Sequence, residues 1–94
     1  MVKKNYAQEW YNEVTEELEY IDSDIRDSMD EINFLTFKNE LLTKDPVLKE
    51  SFQEEFKEYQ KEIISLKKDI EDMIQRKKNF ITLEKRLQHY NNLN

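Results

Sequence analysis

The sequence predicts an all-α fold: a long antiparallel two-helix hairpin of the coiled-coil type, which pairs with a second hairpin into a four-helix bundle. Three observations support this prediction. The chain has no glycine and one proline in 94 residues, which disfavours β-turns and glycine-rich loops. Apolar residues recur at alternating steps of four and three in two long series, the pattern of a heptad repeat. The single proline lies between the two series, where a helix must stop.

The first series covers residues 7–42 and predicts helix 1 over about residues 5–43. Eight of its eleven positions hold an apolar or aromatic residue larger than alanine, and its phase never slips. Capping-type residues within 22–31 leave an alternative, in which a break there makes a three-helix protein. The unbroken phase favours a continuous helix. The series consists of Ala7, Tyr11, Val14, Leu18, Ile21, Ile25, Ser28, Ile32, Leu35, Asn39 and Leu42.

The second series covers residues 52–87 and predicts helix 2 over about residues 46–91, with nine of eleven positions apolar or aromatic. The turn falls at about residues 44–46. Pro46 suits the first position of a helix, and it forces Asp45 into an extended conformation from which its carboxylate can cap helix 2. One domain therefore spans residues 1–94. The series consists of Phe52, Phe56, Tyr59, Ile63, Leu66, Ile70, Met73, Lys77, Phe80, Glu84 and Leu87.

Folding about Asp45 predicts a register in which facing residue numbers add to about 91, so that Leu35 faces Phe56. Apolar residues then meet in most layers. Charge supports antiparallel packing: residues 9–31 hold ten acids and one base, whereas residues 67–86 hold seven bases and four acids. Exposed ion pairs are weak, so this charge pattern selects orientation more than it stabilises the hairpin.

Four seam positions are polar: Ser28, Asn39, Lys77 and Glu84. We expect Lys77 and Glu84 to extend to water near the open end of the hairpin. Asn39 either fixes the register, as buried polar seam residues can, or has no such role.

The sequence lacks the combinations of residues that catalysis, cofactor binding or metal binding requires. Cysteine is absent, and His89 is the only histidine, near the C-terminus. The acids around Asp24 lack the glycine and the final glutamate of a calcium loop. We therefore expect no enzyme activity, no cofactor and no metal. The basic cluster at residues 76–78 and 85–86 could attract nucleic acid, but the net charge of −6 opposes this, so we expect none.

Apolar residues outside the two series exceed what a two-helix seam can bury, which predicts a partner-binding surface. The expected partner is a second copy or another helical protein. The direction of the second copy is open; if it runs antiparallel, removing Trp10 and Phe37 together should dissolve the dimer. The candidate interface residues are Trp10, Met29, Phe34, Phe37, Leu41, Leu48, Ile64, Ile74, Ile81, Leu83 and Tyr90.

The function that these features favour is a non-enzymatic structural or interaction module, such as an adaptor, assembly factor or regulator. No apolar run is long enough for a membrane span or a secretory signal, so we expect a cytoplasmic protein that does not bind membranes. Two alternatives stay open. A small exported helical hairpin would share the length and mid-chain turn, although the Trp-x-Gly motif of such proteins is absent. A bundle holding an apolar ligand is less expected.

Overall fold

The protein is a rod of three helices, seen in a computed structural model that describes residues 5–93. The helices are α1 (Tyr6–Lys44), α2 (Pro46–Ser51) and α3 (Gln53–Leu93), and residues 5–93 contain no strand. The long helices α1 and α3 pack side by side, which confirms the all-α hairpin. The molecule measures 74 × 20 × 15 Å, and its radius of gyration of 21.0 Å far exceeds the ~12 Å of a compact domain of this length. Residues 1–4, which enter the expectation about a secretory signal, lie outside the described residues.

Helix α1 is continuous over 39 residues. Asn5 caps its first turn, where the Asn5 Oδ1 accepts a hydrogen bond from the backbone N–H of Gln8 at 3.1 Å. The capping-type residues within 22–31 do not interrupt it. A break there would shift the phase of the apolar stripe, whereas the buried residues Val14, Ile21 and Leu35 lie on one stripe on both sides of this segment.

The first change of direction falls at Asp45, as predicted. Asp45 is extended (φ −113°, ψ 118°), and its Oδ1 accepts a hydrogen bond from the N–H of Val47 at 2.9 Å. Pro46 lies at the start of α2, where its missing N–H costs nothing. Both predicted roles, the extended residue before proline and the capping carboxylate, are confirmed.

A second change of direction at Phe52 differs from the predicted continuous helix 2. The backbone opens there to φ −119° and ψ 32°. The i to i−4 hydrogen bonds on either side persist, from the Phe52 N–H to the Leu48 carbonyl at 2.9 Å and from the Phe56 N–H to the Phe52 carbonyl at 3.0 Å. No proline or glycine marks this bend. The Phe52 side chain, predicted to lie in the seam, is 41% exposed and lines a surface depression together with Leu41 and Leu42 of α1.

The register of α1 against α3 is shifted by about one heptad from the predicted one. The reversal occupies residues 45–52 rather than 44–46, because α2 forms a separate connector. Leu35 therefore lies at the level of Ile63 instead of Phe56. The contacts between α1 and α3 that define this register join Gln8 with Asn91, Asp22 with Lys77, Lys38 with Tyr59 and Glu17 with Arg76, whose numbers add to 99, 99, 97 and 93.

The seam between α1 and α3 follows the predicted heptads. All eleven positions of the first series and ten of the second are buried or half-buried. A seven-residue shift preserves the 4-3 spacing, so the predicted core residues stay correct although their partners change. The shifted register also places residues 9–31 beside residues 67–86, where ion pairs join Glu17 to Arg76 at 3.1 Å and Asp22 to Lys77 at 2.6 Å.

Candidate interaction surface

Two faces run along the rod, one on each side of the seam. Each face is formed by residues next to the seam that are spaced seven apart, because residues with this spacing lie on the same side of a coiled-coil helix. On the first side, Ile74 and Ile81 line a groove of about 760 Å³ together with Asp22. Ile64 lines a second groove of about 530 Å³. Met29 lies one heptad after Asp22 and joins the same row. We call Met29, Ile64, Ile74 and Ile81 the isoleucine face.

The apolar side chains of the isoleucine face are largely uncovered. Ile64 is 69% exposed, Met29 52% and Ile74 40%, while Ile81 is half-buried. Both grooves are open to solvent rather than enclosed. A small apolar molecule would stay largely wet in either one, whereas an extended helical surface could cover the whole row.

The opposite side forms the second face, which combines aromatic ends with an acidic middle. Arg76 and Glu17 pair on this side, and Leu83, Tyr90 and Trp10 stand one or two heptads from them, at the open end. Three more exposed apolar residues, Phe34, Phe37 and Leu41, lie near the turn. Between the two ends, Asp24, Asp27, Asp69 and Asp72 line one depression. We call this side the acidic face.

Lys38 contributes a positive charge at the turn end of the acidic face. Its Nζ lies 4.2 Å from the centroid of the Phe34 ring and 4.8 Å from that of Tyr59. The ammonium group is thus held between an α1 ring and an α3 ring. Such cation–π contacts are worth about 0.5–1 kcal/mol at exposed sites, and this one links the two long helices near the turn.

The structure divides the eleven predicted interface residues between the two faces and α2. Eight are exposed, and Leu48, Ile81 and Leu83 are half-buried. Four belong to the isoleucine face, six to the acidic side, and Leu48 to α2. Their role in binding stays a prediction, but two separate faces must now be considered.

Sequence reasoning missed two exposed aromatic residues of α1. Tyr6 is 73% exposed and Tyr20 67%. Their residue numbers differ from those of Phe34 and Leu41 by multiples of seven, so all four residues occupy the same heptad position on the acidic side. Continuing the heptad numbering outside the seam would have found them, because every row of a coiled-coil helix repeats with the same period.

The polar seam residues behave differently from one another. Lys77 is half-buried, and its Nζ reaches the edge of the seam, where it pairs with Asp22 at 2.6 Å. Glu84 is also half-buried. The Oδ1 of Asn39 is buried without a hydrogen-bond partner, which costs stability. Since Arg76 is paired with Glu17, two cations of the basic cluster are already neutralised within the hairpin.

The described residues hold no arrangement that points to other chemistry. Within residues 5–93, no three or more histidine, aspartate or glutamate side chains are placed to hold a metal ion. His89 is exposed. No helix in this part of the chain combines the length and apolar character required to cross a bilayer. Comparison with known proteins found no matching family model, no matching curated protein and no matching solved structure.

Proposed function

We propose that this protein is a non-enzymatic interaction module that acts as a helical homodimer. One observation carries the proposal: among the residues that the structure describes, four apolar side chains are buried, whereas twelve large apolar side chains are exposed. Full burial of a large apolar side chain is worth about 1.5–3 kcal/mol. A monomer would leave most of that stabilisation unused, so a partner surface is expected to cover part of it.

A second copy is the simplest partner for a rod of this shape. Two hairpins packed face to face make a four-helix bundle, in which each helix gains a second buried stripe. The absence of cysteine suits a reducing compartment, and the proposal includes a cytoplasmic location. An adaptor, assembly factor or regulator would use such a bundle as a rigid spacer or docking surface.

Sedimentation equilibrium and native mass spectrometry of the full chain test this proposal. We expect a species of twice the 11.6 kDa chain mass at micromolar concentrations. A single 11.6 kDa species up to about 1 mM would overturn it, because a dissociation constant weaker than that corresponds to only about 4 kcal/mol. An added mass that survives native conditions would instead favour the apolar-ligand alternative.

A further inference from the structure

We propose, building on the homodimer proposed above, that the second copy docks on the isoleucine face and runs parallel to the first, with both turns at the same end. The charges on the two edges of this face carry the inference. The face is bordered by an α1 rim, made of Glu19, Arg26 and Glu40, and by an α3 rim, made of Lys57, Glu71 and Lys78.

The two rims belong to the same side as the grooves. Glu19, Arg26 and Lys78 line the larger groove with Ile74 and Ile81. Glu40 lines the second groove, and Glu71 and Lys57 stand one and three heptads before Lys78. All six rim residues are exposed. The two ion pairs within residues 5–93 use other side chains, so none of the six has an ion partner inside the hairpin.

The rim charges are opposite at three levels of the rod. Glu19 and Lys78, Arg26 and Glu71, and Glu40 and Lys57 each have numbers that add to 97, the same value as the contacting residues Lys38 and Tyr59. Members of a pair therefore lie at the same height but on opposite rims, with the grooves between them.

A twofold axis parallel to the rod brings these charges together. Rotation by 180° about such an axis exchanges left and right and leaves every residue at its own height. The α1 rim of one copy then meets the α3 rim of the other, which forms three opposite-charge pairs on each side of the interface. Charge pairs of this kind fix partner choice and orientation more than they add affinity.

The apolar side chains between and along the rims supply the main driving force. Met29, Ile74 and Ile81 of both copies converge along the axis, and Ile64 lies on the α3 rim, one heptad from Lys57 and from Glu71. Docking therefore removes these apolar side chains of both copies from water. A standard interface buries about 800 Å² per partner, which a strip 74 Å long reaches at a width of about 11 Å. The face is wide enough, since the rod is 20 Å across.

The acidic face does not suit a second copy. Its middle carries Asp24 and Asp27 on α1 and Asp69 and Asp72 on α3. In either direction of packing, two copies that meet there oppose carboxylate to carboxylate over the centre of the contact. Such like-charge contacts are unfavourable, and water or a different molecule is the better neighbour for this side.

Two double variants test the choice of face by sedimentation equilibrium. Met29→Glu with Ile64→Glu is expected to weaken the dimer at least 100-fold, whereas the matched variant Trp10→Glu with Phe37→Glu should leave it dimeric. All four side chains are at least half exposed, so circular dichroism should show the same helix content in both. A dimer that survives the first variant and is lost in the second overturns this inference but not the homodimer. A monomeric natural chain overturns both.

A charge-exchange cycle tests the parallel direction. Arg26→Glu and Glu71→Arg are each expected to weaken the dimer about tenfold, since each turns two attractive pairs into repulsive ones. The double variant should recover affinity to within about twofold of the natural chain. In an antiparallel dimer, equivalent rims meet and Arg26 opposes Glu19 of the second copy. The double variant would then bind more weakly than either single variant, and that result overturns the parallel arrangement.

Discussion

The isoleucine face and the acidic face both expose apolar side chains, yet they differ in where their charges lie. On the isoleucine face, three levels of the rod have an acid on one helix and a base on the other. On the acidic face, both helices carry aspartate over the middle of the rod. Exposed apolar residues indicate that a surface has a partner, but the arrangement of charge indicates whether that partner can be a second copy.

The seam alone is expected to hold the hairpin together, without a contribution from either face. Leu35→Ala tests this expectation. Leu35 is 1% exposed, so the substitution leaves a cavity and is expected to cost about 2–5 kcal/mol, measured by urea unfolding at a fixed protein concentration.

Leu41→Ala is the matched control, since the same atoms are removed from a side chain that is 51% exposed. It should cost less than about 1 kcal/mol. Equal losses in the two variants would mean that the acidic side contributes to the fold as much as the seam does.

One buried polar group beneath the isoleucine face lowers the stability of the hairpin. The Asn39 Oδ1 is buried without a partner, and Asn39 lines the groove that contains Ile64. Asn39→Leu removes the unpaired carbonyl and is expected to raise the free energy of unfolding by about 1–3 kcal/mol, seen as a higher melting temperature.

Asn91→Leu provides the comparison for Asn39. The Asn91 Oδ1 is also buried without a partner, but its Nδ2 donates a hydrogen bond to Gln8 at 3.4 Å. The substitution therefore loses one bond and should gain less than Asn39→Leu. A destabilised Asn39→Leu variant would show instead that this amide fixes the register of the seam.

The acidic face can be altered with a single charge. Asp24 and Asp69 occupy the positions one heptad along from Glu17 and Arg76, which are paired at 3.1 Å. Asp69→Arg replaces a repulsion with the equivalent ion pair and should stabilise the hairpin by about 0.5–1 kcal/mol at low salt. The gain should largely disappear in 1 M NaCl, where charges are screened beyond about 3 Å.

Asp24→Asn in the Asp69→Arg background removes the new partner and should abolish most of the gain. A stabilisation that survives both high salt and this substitution would point to helix propensity rather than to pairing.

Heptad spacing and end signals predicted most of the fold. Seam residues such as Val14 and Leu35 are buried because their spacing matches a helix pair. The Asp45-Pro46 turn was readable because proline restricts both residues. The bend at Phe52 was not, since it retains its neighbouring hydrogen bonds and involves no residue that breaks a helix.

The register and the division into two faces required the structure. A seven-residue slip keeps every seam position apolar, so spacing alone cannot choose between Phe56 and Ile63 as the neighbour of Leu35. The candidate surface was predicted as a set of residues, and most of that set is exposed. The division of this set into two faces depends on which α1 and α3 residues are neighbours across the seam. Arg76 and Lys77, although adjacent in sequence, pair with α1 acids on opposite sides of the seam.

The short helix α2 has a consequence for how the chain folds. The repeating seam offers several alignments of α1 and α3 that differ by whole heptads, and long-range contacts between distant ends can form in any of them. Contacts around α2 join residues that are close in the sequence, so they form with the smallest loss of chain entropy. Asp45 and Phe52 fix the length of the reversal. From that end, α1 and α3 can then pair progressively along their length, and each layer that forms keeps the next one in the correct register.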